Sequence, residues 1–236
     1  VFSNSFFSGD FAMTRFMLLS VALVIAMVQV AAAAPVVVNP GFEAPDISGF
    51  GSLVAYTPPQ RNELDPATIP GWVLGASQGG LPDGTYQGIW NFVGDTTFAP
   101  LTGAGGSQVG FFAVKGGFYQ DIAGFNANTA TVSFLAAGRP AADGPDQFKV
   151  TLDGTTLTFG GVGSILPVDA KMVSYTSDPI TVTAGTHRLA FTGMGSADNT
   201  SFIDNVTINQ VPEPTTIMLM ATGILGLMAY AWRRHK

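Results

Sequence analysis

Phe148-Lys149-Val150-Thr151-Leu152-Asp153-Gly154-Thr155-Thr156-Leu157-Thr158-Phe159 reads as two short strands joined by a tight turn. Phe148, Val150 and Leu152 alternate with Lys149 and Thr151; Leu157 and Phe159 alternate with Thr156 and Thr158. A strand sends successive side chains to opposite faces, so this pattern puts apolar groups on one side and polar groups on the other. Asp-Gly between such runs is a preferred two-residue hairpin turn, because both central residues must take a positive φ. The segment predicts a β-hairpin resting on an apolar core.

The same pattern recurs outward in both directions. Short apolar or alternating runs occupy residues 36–38, 71–74, 88–93, 108–114, 118–122, 130–136, 180–183, 186–192 and 201–208, with Gly, Pro, Asn and Asp between them. No long helical period interrupts residues 36–208. About ten strands with short turns predict an all-β fold, a two-sheet antiparallel sandwich. The 29 glycines and 15 prolines suit such a turn-rich chain. Residues 35–214 hold six Lys/Arg and fifteen Asp/Glu, a net −9 within a chain of net −6. That surface repels phosphate backbones and excludes nucleic acid as a partner, while it could attract divalent cations. The absence of cysteine excludes disulfides, thiolate metal sites and cysteine nucleophiles.

Both ends differ from the middle. Met13-Thr14-Arg15 precedes an apolar stretch, Met17 to Val28, and then Val30 and four alanines, Ala31 to Ala34. A positive start, an apolar centre and small residues at the exit predict a secretory signal over residues 1–34, a helix removed in the alanine run. Residues 1–12 fit neither role and read as an over-extended start. Residues 35–210 are then the ectodomain. At the other end Val211-Pro212-Glu213-Pro214 precedes an uncharged apolar stretch, residues 215–232, and a basic end, Arg233-Arg234-His235-Lys236. As a helix that stretch is about 27 Å long, which predicts a single transmembrane helix. Arg233, Arg234 and Lys236 would act as its membrane stop, anchoring the chain in the inner membrane with the ectodomain outside.

The tail as a whole, residues 211–236, resembles the PEP-CTERM sorting signal of Gram-negative bacteria. Motif, short span and basic terminus follow one another in the order of that family. The resemblance implies processing near Val211, Pro212, Glu213 and Pro214 by an exosortase-type enzyme, and export to the cell surface or beyond in an exopolysaccharide or biofilm context. A lipid-anchor attachment signal is the alternative, but its tail ordinarily lacks a closing basic cluster.

Within the ectodomain, Asn39-Pro40-Gly41-Phe42-Glu43, Ile69-Pro70-Gly71-Trp72, Gly117-Phe118-Tyr119-Gln120-Asp121-Ile122, Ala184-Gly185-Thr186-His187-Arg188-Leu189 and Ser201-Phe202-Ile203-Asp204-Asn205-Val206 follow in sequence. Their order resembles the galactose-binding-like jelly rolls, which include many carbohydrate-binding modules. The resemblance implies that the opening and closing segments meet and share a structural calcium through Glu43 and Asp204. The residue pattern agrees. Phe202, Asp204, Val206 and Ile208 share one strand face at period two, and a carboxylate in an apolar stripe needs a partner. Ca²⁺ with its oxygen ligands would provide one. The alternative is that Asp204 faces solvent beside a bulge or caps backbone amides.

His187 is the ectodomain's one histidine and shares a strand phase with Leu189 and Phe191. It reads as a neutral packing residue without a carboxylate partner, although any Ser–His–Asp triad would have to use it. Asp143-Gly144-Pro145-Asp146 reads as a solvated turn. Trp72, Trp90 and Tyr119 are the candidate ligand-binding residues, because exposed aromatic rings give sugars an apolar face. Tyr86 and Phe92 lie nearby, and Arg61, Asn62 and Gln87 could add polar contacts. The alternative is that these rings fill the core. The sequence therefore predicts a non-catalytic, carbohydrate- or exopolysaccharide-binding surface protein. A structural envelope or biofilm-matrix protein is the alternative, and a two-carboxylate glycan-active enzyme the third reading.

Overall fold

The computed structural model describes residues 34–47, 53–55, 69–75, 86–93, 101–139, 147–168, 170–195, 200–210 and 216–234. Among them the strands are β1 (Leu53–Ala55), β2 (Val73–Leu74), β3 (Tyr86–Asn91), β4 (Gln108–Ala113), β5 (Gly117–Phe125), β6 (Asn128–Gly138), β7 (Phe148–Leu152), β8 (Thr155–Thr156), β9 (Val173–Thr176), β10 (Ile180–Val182), β11 (Gly185–Gly193) and β12 (Thr200–Gln210). One helix follows, α1 (Thr216–Arg234). The strands form a seven-stranded sheet, β1-β3-β4-β12-β6-β10 with β9 also on β6, and a five-stranded sheet, β2-β5-β11-β7-β8. Every strand pair is antiparallel, so the expected two-sheet sandwich is present.

The hairpin forms as read. Thr151 lies opposite Thr156 and Leu152 opposite Thr155. Asp153 and Gly154 take φ of 50° and 78°, the two positive values a tight turn of this hand requires. β8 ends sooner than the alternation suggested. Phe159 and Val162 pair across Gly160-Gly161, a second tight turn that bends the chain away after two residues.

The inner faces of both sheets meet in one core. Phe112, Phe134, Ile203 and Val206 come from the seven-stranded sheet; Phe118, Leu189 and Phe191 come from the five-stranded one. Trp72 stacks on Phe42 with ring centroids 5.1 Å apart and meets Phe118 edge-on at 5.2 Å. The outer face of the seven-stranded sheet is covered too. Trp90, Val109, Phe111, Ala137 and Phe202 pack there under Leu101 and Met172 as a second apolar cluster. The two covering segments are tied together, the Thr102 amide donating to the Ala170 carbonyl and the Met172 amide to that of Thr102.

Three expectations need correction. Phe202, Asp204, Val206 and Ile208 do not share a face: Asn205 takes a φ of 52° and the β12–β6 register shifts between Asp204 and Thr207. This bulge leaves Val206 and Ile208 in the main core while Phe202 joins the outer cluster. Residues 36–38 form no strand. Instead the buried Gln120 side chain serves Val38 as a strand would, accepting from its amide at 2.7 Å and donating to its carbonyl at 2.9 Å.

The third correction concerns the C-terminal tail. Among the described residues no helix is long and apolar enough to cross a membrane. The expected transmembrane helix over residues 215–232, and with it inner-membrane anchoring through that helix, is therefore withdrawn. Of the 19 residues of α1 the last two are Arg233 and Arg234, which leaves 17 uncharged positions. That is about 25 Å of helix against the roughly 30 Å of a hydrocarbon core. Thr216, Thr222, Gly223 and Gly226 dilute its apolar character further. Arg233 and Arg234 are exposed in the last turn of α1; their membrane-stop role, shared with Lys236, falls with the span. Lys236, Val211 to Pro214 and all but Ala34 of the expected signal at 1–34 lie outside the described residues.

Candidate functional site

Glu43 and Asp204 are brought to one place by the opening turn and the β12 bulge. The Asn39 side chain closes that turn on Ala44, accepting from its amide and donating to its carbonyl. The Val206 amide then donates to the Pro40 carbonyl, which docks the turn beside the bulge. A methyl group added at Gly41 would sit 3.3 Å from Asp204 Oδ1 and 3.8 Å from Glu43 Cγ, so both acids pass the same glycine. Across from them runs the loop Gly103-Ala104-Gly105-Gly106-Ser107. The Gly105 amide donates to Asp204 Oδ2 at 2.6 Å and the Asn205 amide to Oδ1 at 2.7 Å. The amides of Ser107 and Gln108 donate to Glu43 Oε1, and the Ser107 hydroxyl to Oε2. Gly106 has no room for a side chain, because its Cβ would overlap the Glu43 carboxylate.

Asp204 is fully buried. Burial pushes its carboxyl up to about 6, the Gly105 and Asn205 amides oppose that rise, and the Glu43 charge adds to it. The carboxylate oxygens are hard donors of the kind a cation takes, and each already accepts from an N–H or O–H group. No group of three or more acidic or histidine side chains that could hold a metal occurs among the described residues.

The outer face of the five-stranded sheet is built by strict alternation. In β5, Phe118, Gln120 and Ile122 are buried, so Tyr119 and Asp121 point away from the core. In β11 the buried residues are His187, Leu189 and Phe191, which leaves Arg188, Ala190 and Thr192 outside. Register sets Val73, Tyr119, Ala190, Thr151 and Thr156 in one row across five strands. Four strand spacings make that row roughly 19 Å long. Its floor is small except at Tyr119. The Arg188 guanidinium lies 3.9 Å from the Tyr119 ring centroid and donates from Nε and Nη2 to the two Asp121 oxygens, each at 2.7 Å. The Arg188 hydrogen bond, opposed by burial, holds the Asp121 carboxyl below its ordinary value.

Directly behind Arg188, His187 is 7% exposed. Its Nδ1 is 2.5 Å from Asp153 Oδ2, its Nε2 is 2.9 Å from the Thr183 carbonyl, and its ring meets Phe125 edge-on. The expected core placement is observed, but the expected lack of a carboxylate partner is not. The Asp153 hydrogen bond raises the imidazole above its ordinary value against the opposing effect of burial. Gly75-Ala76-Ser77-Gln78-Gly79 matches the Gly-x-Ser-x-Gly pattern of a nucleophile elbow, with Ser77 outside the described residues. His187 is no base for such a serine, because both ring nitrogens are engaged in a closed setting.

Trp72 and Trp90 are 2% and 1% exposed, one in each apolar cluster, so neither offers a ring face to a ligand. The Trp72 indole N–H donates to the Asn39 carbonyl, which also ties it to the opening turn. Gln87 is likewise buried and accepts from the Gly117 amide. Arg61, Asn62 and Asp143 to Asp146 lie outside the described residues. Of the three aromatics named from the sequence, Trp90 stands on a covered outer face and Tyr119 on one that the described residues leave half-exposed. Arg188, which lies over Tyr119, went unrecognised, although residue 188 alternates with His187 and Leu189 as clearly as Tyr119 does with its neighbours.

Comparison with known proteins adds two findings. The family described as the PEP-CTERM protein-sorting motif matches residues 210–234. Among solved structures, a cyclase from Fischerella sp. TAU in complex with 4-(1H-indol-3-yl)butan-2-one is 16% identical, with a TM-score of 0.56 over 78% of this chain and 100% of that one. TmCBM61 in complex with β-1,4-galactotriose is 14% identical, with a TM-score of 0.46 over 76% and 100%. The CBM22-1 xylan-binding domain of Paenibacillus barcinonensis Xyn10C is 14% identical, with a TM-score of 0.40 over 61% and 88%. No curated protein sequence matches. The chain carries a PEP-CTERM-like sorting motif, and its fold is similar to that of the cyclase. At these identities the likeness concerns the fold alone.

Proposed function

We propose that this is an exosortase-sorted surface or extracellular protein of a Gram-negative bacterium, whose sandwich binds carbohydrate without converting it. One observation carries the reading. On the outer face of the five-stranded sheet, Tyr119 stands beside an Arg188–Asp121 pair at the end of a floor of small residues. An aromatic ring supplies an apolar face for a sugar, and a fixed guanidinium–carboxylate pair supplies directional donors and acceptors for hydroxyls. His187 is closed off from that face, which supports binding rather than catalysis. A glycan array probed with the full chain tests the reading. Capture of at least one glycan class, lost in Arg188→Ala, is expected; no capture would refute it. The second reading, a matrix or envelope protein without a small ligand, is favoured by one fact: Arg188 already covers a side of the one aromatic ring in that row.

We further propose that Glu43 and Asp204 hold a structural calcium. Its charge would offset the crowding of a buried carboxylate beside a second one. The competing arrangement is the amide cradle alone, which already gives each carboxylate hydrogen bonds. Thermal unfolding in excess calcium and in chelator separates the two, since a ligand of the native state raises the melting temperature.

A further inference from the structure

We propose that His187, held between Asp153 and the Thr183 carbonyl, is a positioning residue for Arg188, so that the outer face of the five-stranded sheet is set by the protonation of a histidine beneath it. The second half of this statement bears on ligand binding only if the carbohydrate reading above holds; the first half does not depend on it.

The argument starts from the two ring nitrogens. Each faces an acceptor: a carboxylate oxygen at Nδ1 and a backbone carbonyl oxygen at Nε2. A neutral imidazole carries one N–H, so it can satisfy only one of them. The imidazolium satisfies both. Loss of the proton leaves a nitrogen lone pair against an oxygen lone pair unless Nε2 turns from the Thr183 carbonyl to the Thr183 hydroxyl 3.5 Å away. Either the ring turns from the Thr183 carbonyl or the Asp153 contact lengthens.

Asp153 transmits that change because it also holds the backbone of Arg188. Its Oδ1 accepts from the Arg188 amide at 2.8 Å, and its own amide donates to the Arg188 carbonyl at 2.8 Å. Both backbone polar groups of Arg188 thus end on Asp153, whose other oxygen is on His187. Among the described residues the charged and titratable groups around the ring are few. They are Asp153 on the β7–β8 turn, Arg188 on β11 itself, and Asp121 and Tyr119 on β5. Thr183, before β11, and Phe125, at the end of β5, are uncharged. Asp153 stays ionised well into acid: burial opposes this, but the Arg188 amide and the His187 ring outweigh it. The group in this set that changes charge near neutral pH is His187.

The test uses the full chain, ¹⁵N-labelled, with no sugar present. Ring ¹⁵N shifts of His187 and the Nε resonance of Arg188 are followed from pH 5 to 9. The Arg188 resonance should move with the midpoint of His187, which should lie above the ordinary histidine value. In His187→Gln the Arg188 resonance should be flat over the same range. In Asp153→Asn the midpoint should fall and Arg188 should no longer follow it. A ring that is neutral throughout, or an Arg188 resonance that ignores His187 in the wild type, would overturn the proposal. Coupling without glycan capture on the array would sink the carbohydrate reading and leave the positioning role standing.

Discussion

The two sheets treat their outer faces in opposite ways. The seven-stranded sheet turns Trp90, Phe111 and Phe202 outward and then roofs them with Leu101 and Met172, so its outer face is a second core. The five-stranded sheet turns Tyr119, Arg188 and Asp121 outward beside Ala190, Thr151 and Thr156. Its one ring there is steadied by an ion pair whose members are about half exposed. The difference separates the aromatics that serve stability from the one we propose for recognition. Rings closed over by a distant segment contribute burial. Among the described residues no segment covers the Tyr119 ring, which its charged neighbour holds in place.

The largest expected effect falls on the roofed face. Trp90→Ala should cost about 3–5 kcal/mol in urea unfolding, since it empties a fully buried site between Phe202 and Leu101. A loss under 1 kcal/mol would mean that the roof collapses freely and the second core is not one. Next comes the acid pair beside that roof. Calcium at about a hundred times its dissociation constant should stabilise the native state by about 2.7 kcal/mol, and Asp204→Asn should remove the response. An unchanged melting temperature in calcium would leave the amide cradle as the whole account of Glu43 and Asp204.

His187→Gln should cost less, about 1–2 kcal/mol below neutral pH, with the gap to wild type closing as pH rises. The sign follows from the raised value of the folded ring. Its contribution is complete below the unfolded histidine value of 6.5 and is lost as pH climbs through the folded one. Asp153 works the other way: its folded value is depressed from 3.8, so its contribution fades as pH falls through the acid range. A gap that widens in alkali would show that the ring is not charged in the native state. The smallest stability effect belongs to the open face, where Tyr119→Ala should stay within about 1 kcal/mol.

Much of this contrast was legible in the residues, and the rest was hidden for physical reasons. Asp153-Gly154 and the alternation around it located the hairpin, whereas Tyr119 was named for its ring and not for its place in the β5 alternation. Gly160-Gly161 was passed over as a turn, so β8 was read too long. β9 escaped because Val173 and Tyr175 are only half-buried between Ser174 and Thr176. The Asn205 bulge is one residue with a positive φ, and one residue is enough to turn Val206 and Ile208 to the other side. Trp90 was named for its ring, with a core placement as the alternative, and alternation reports only which side of a sheet a ring takes. It does not report whether residues near 101 and 172 will come to cover that side. The meeting of Glu43 with Asp204 was anticipated through a resemblance in order of segments, whereas their amide cradle in residues 103–107 carried no signal of its own. The tail shows the reverse failure: its uncharged run read as a membrane span, while the helix that forms reaches its arginines too soon.

The account turns on the claim that the unroofed face of the five-stranded sheet is the recognition surface. The most direct measurement is the affinity of the full chain, and of its Tyr119→Ala and Trp90→Phe variants, for the glycans captured on an array. Binding by the wild type, at least about tenfold weaker in Tyr119→Ala, equal to a loss of about 1.4 kcal/mol, and unchanged in Trp90→Phe is the predicted result. Undiminished binding in Tyr119→Ala, or equal losses in both variants, would contradict it.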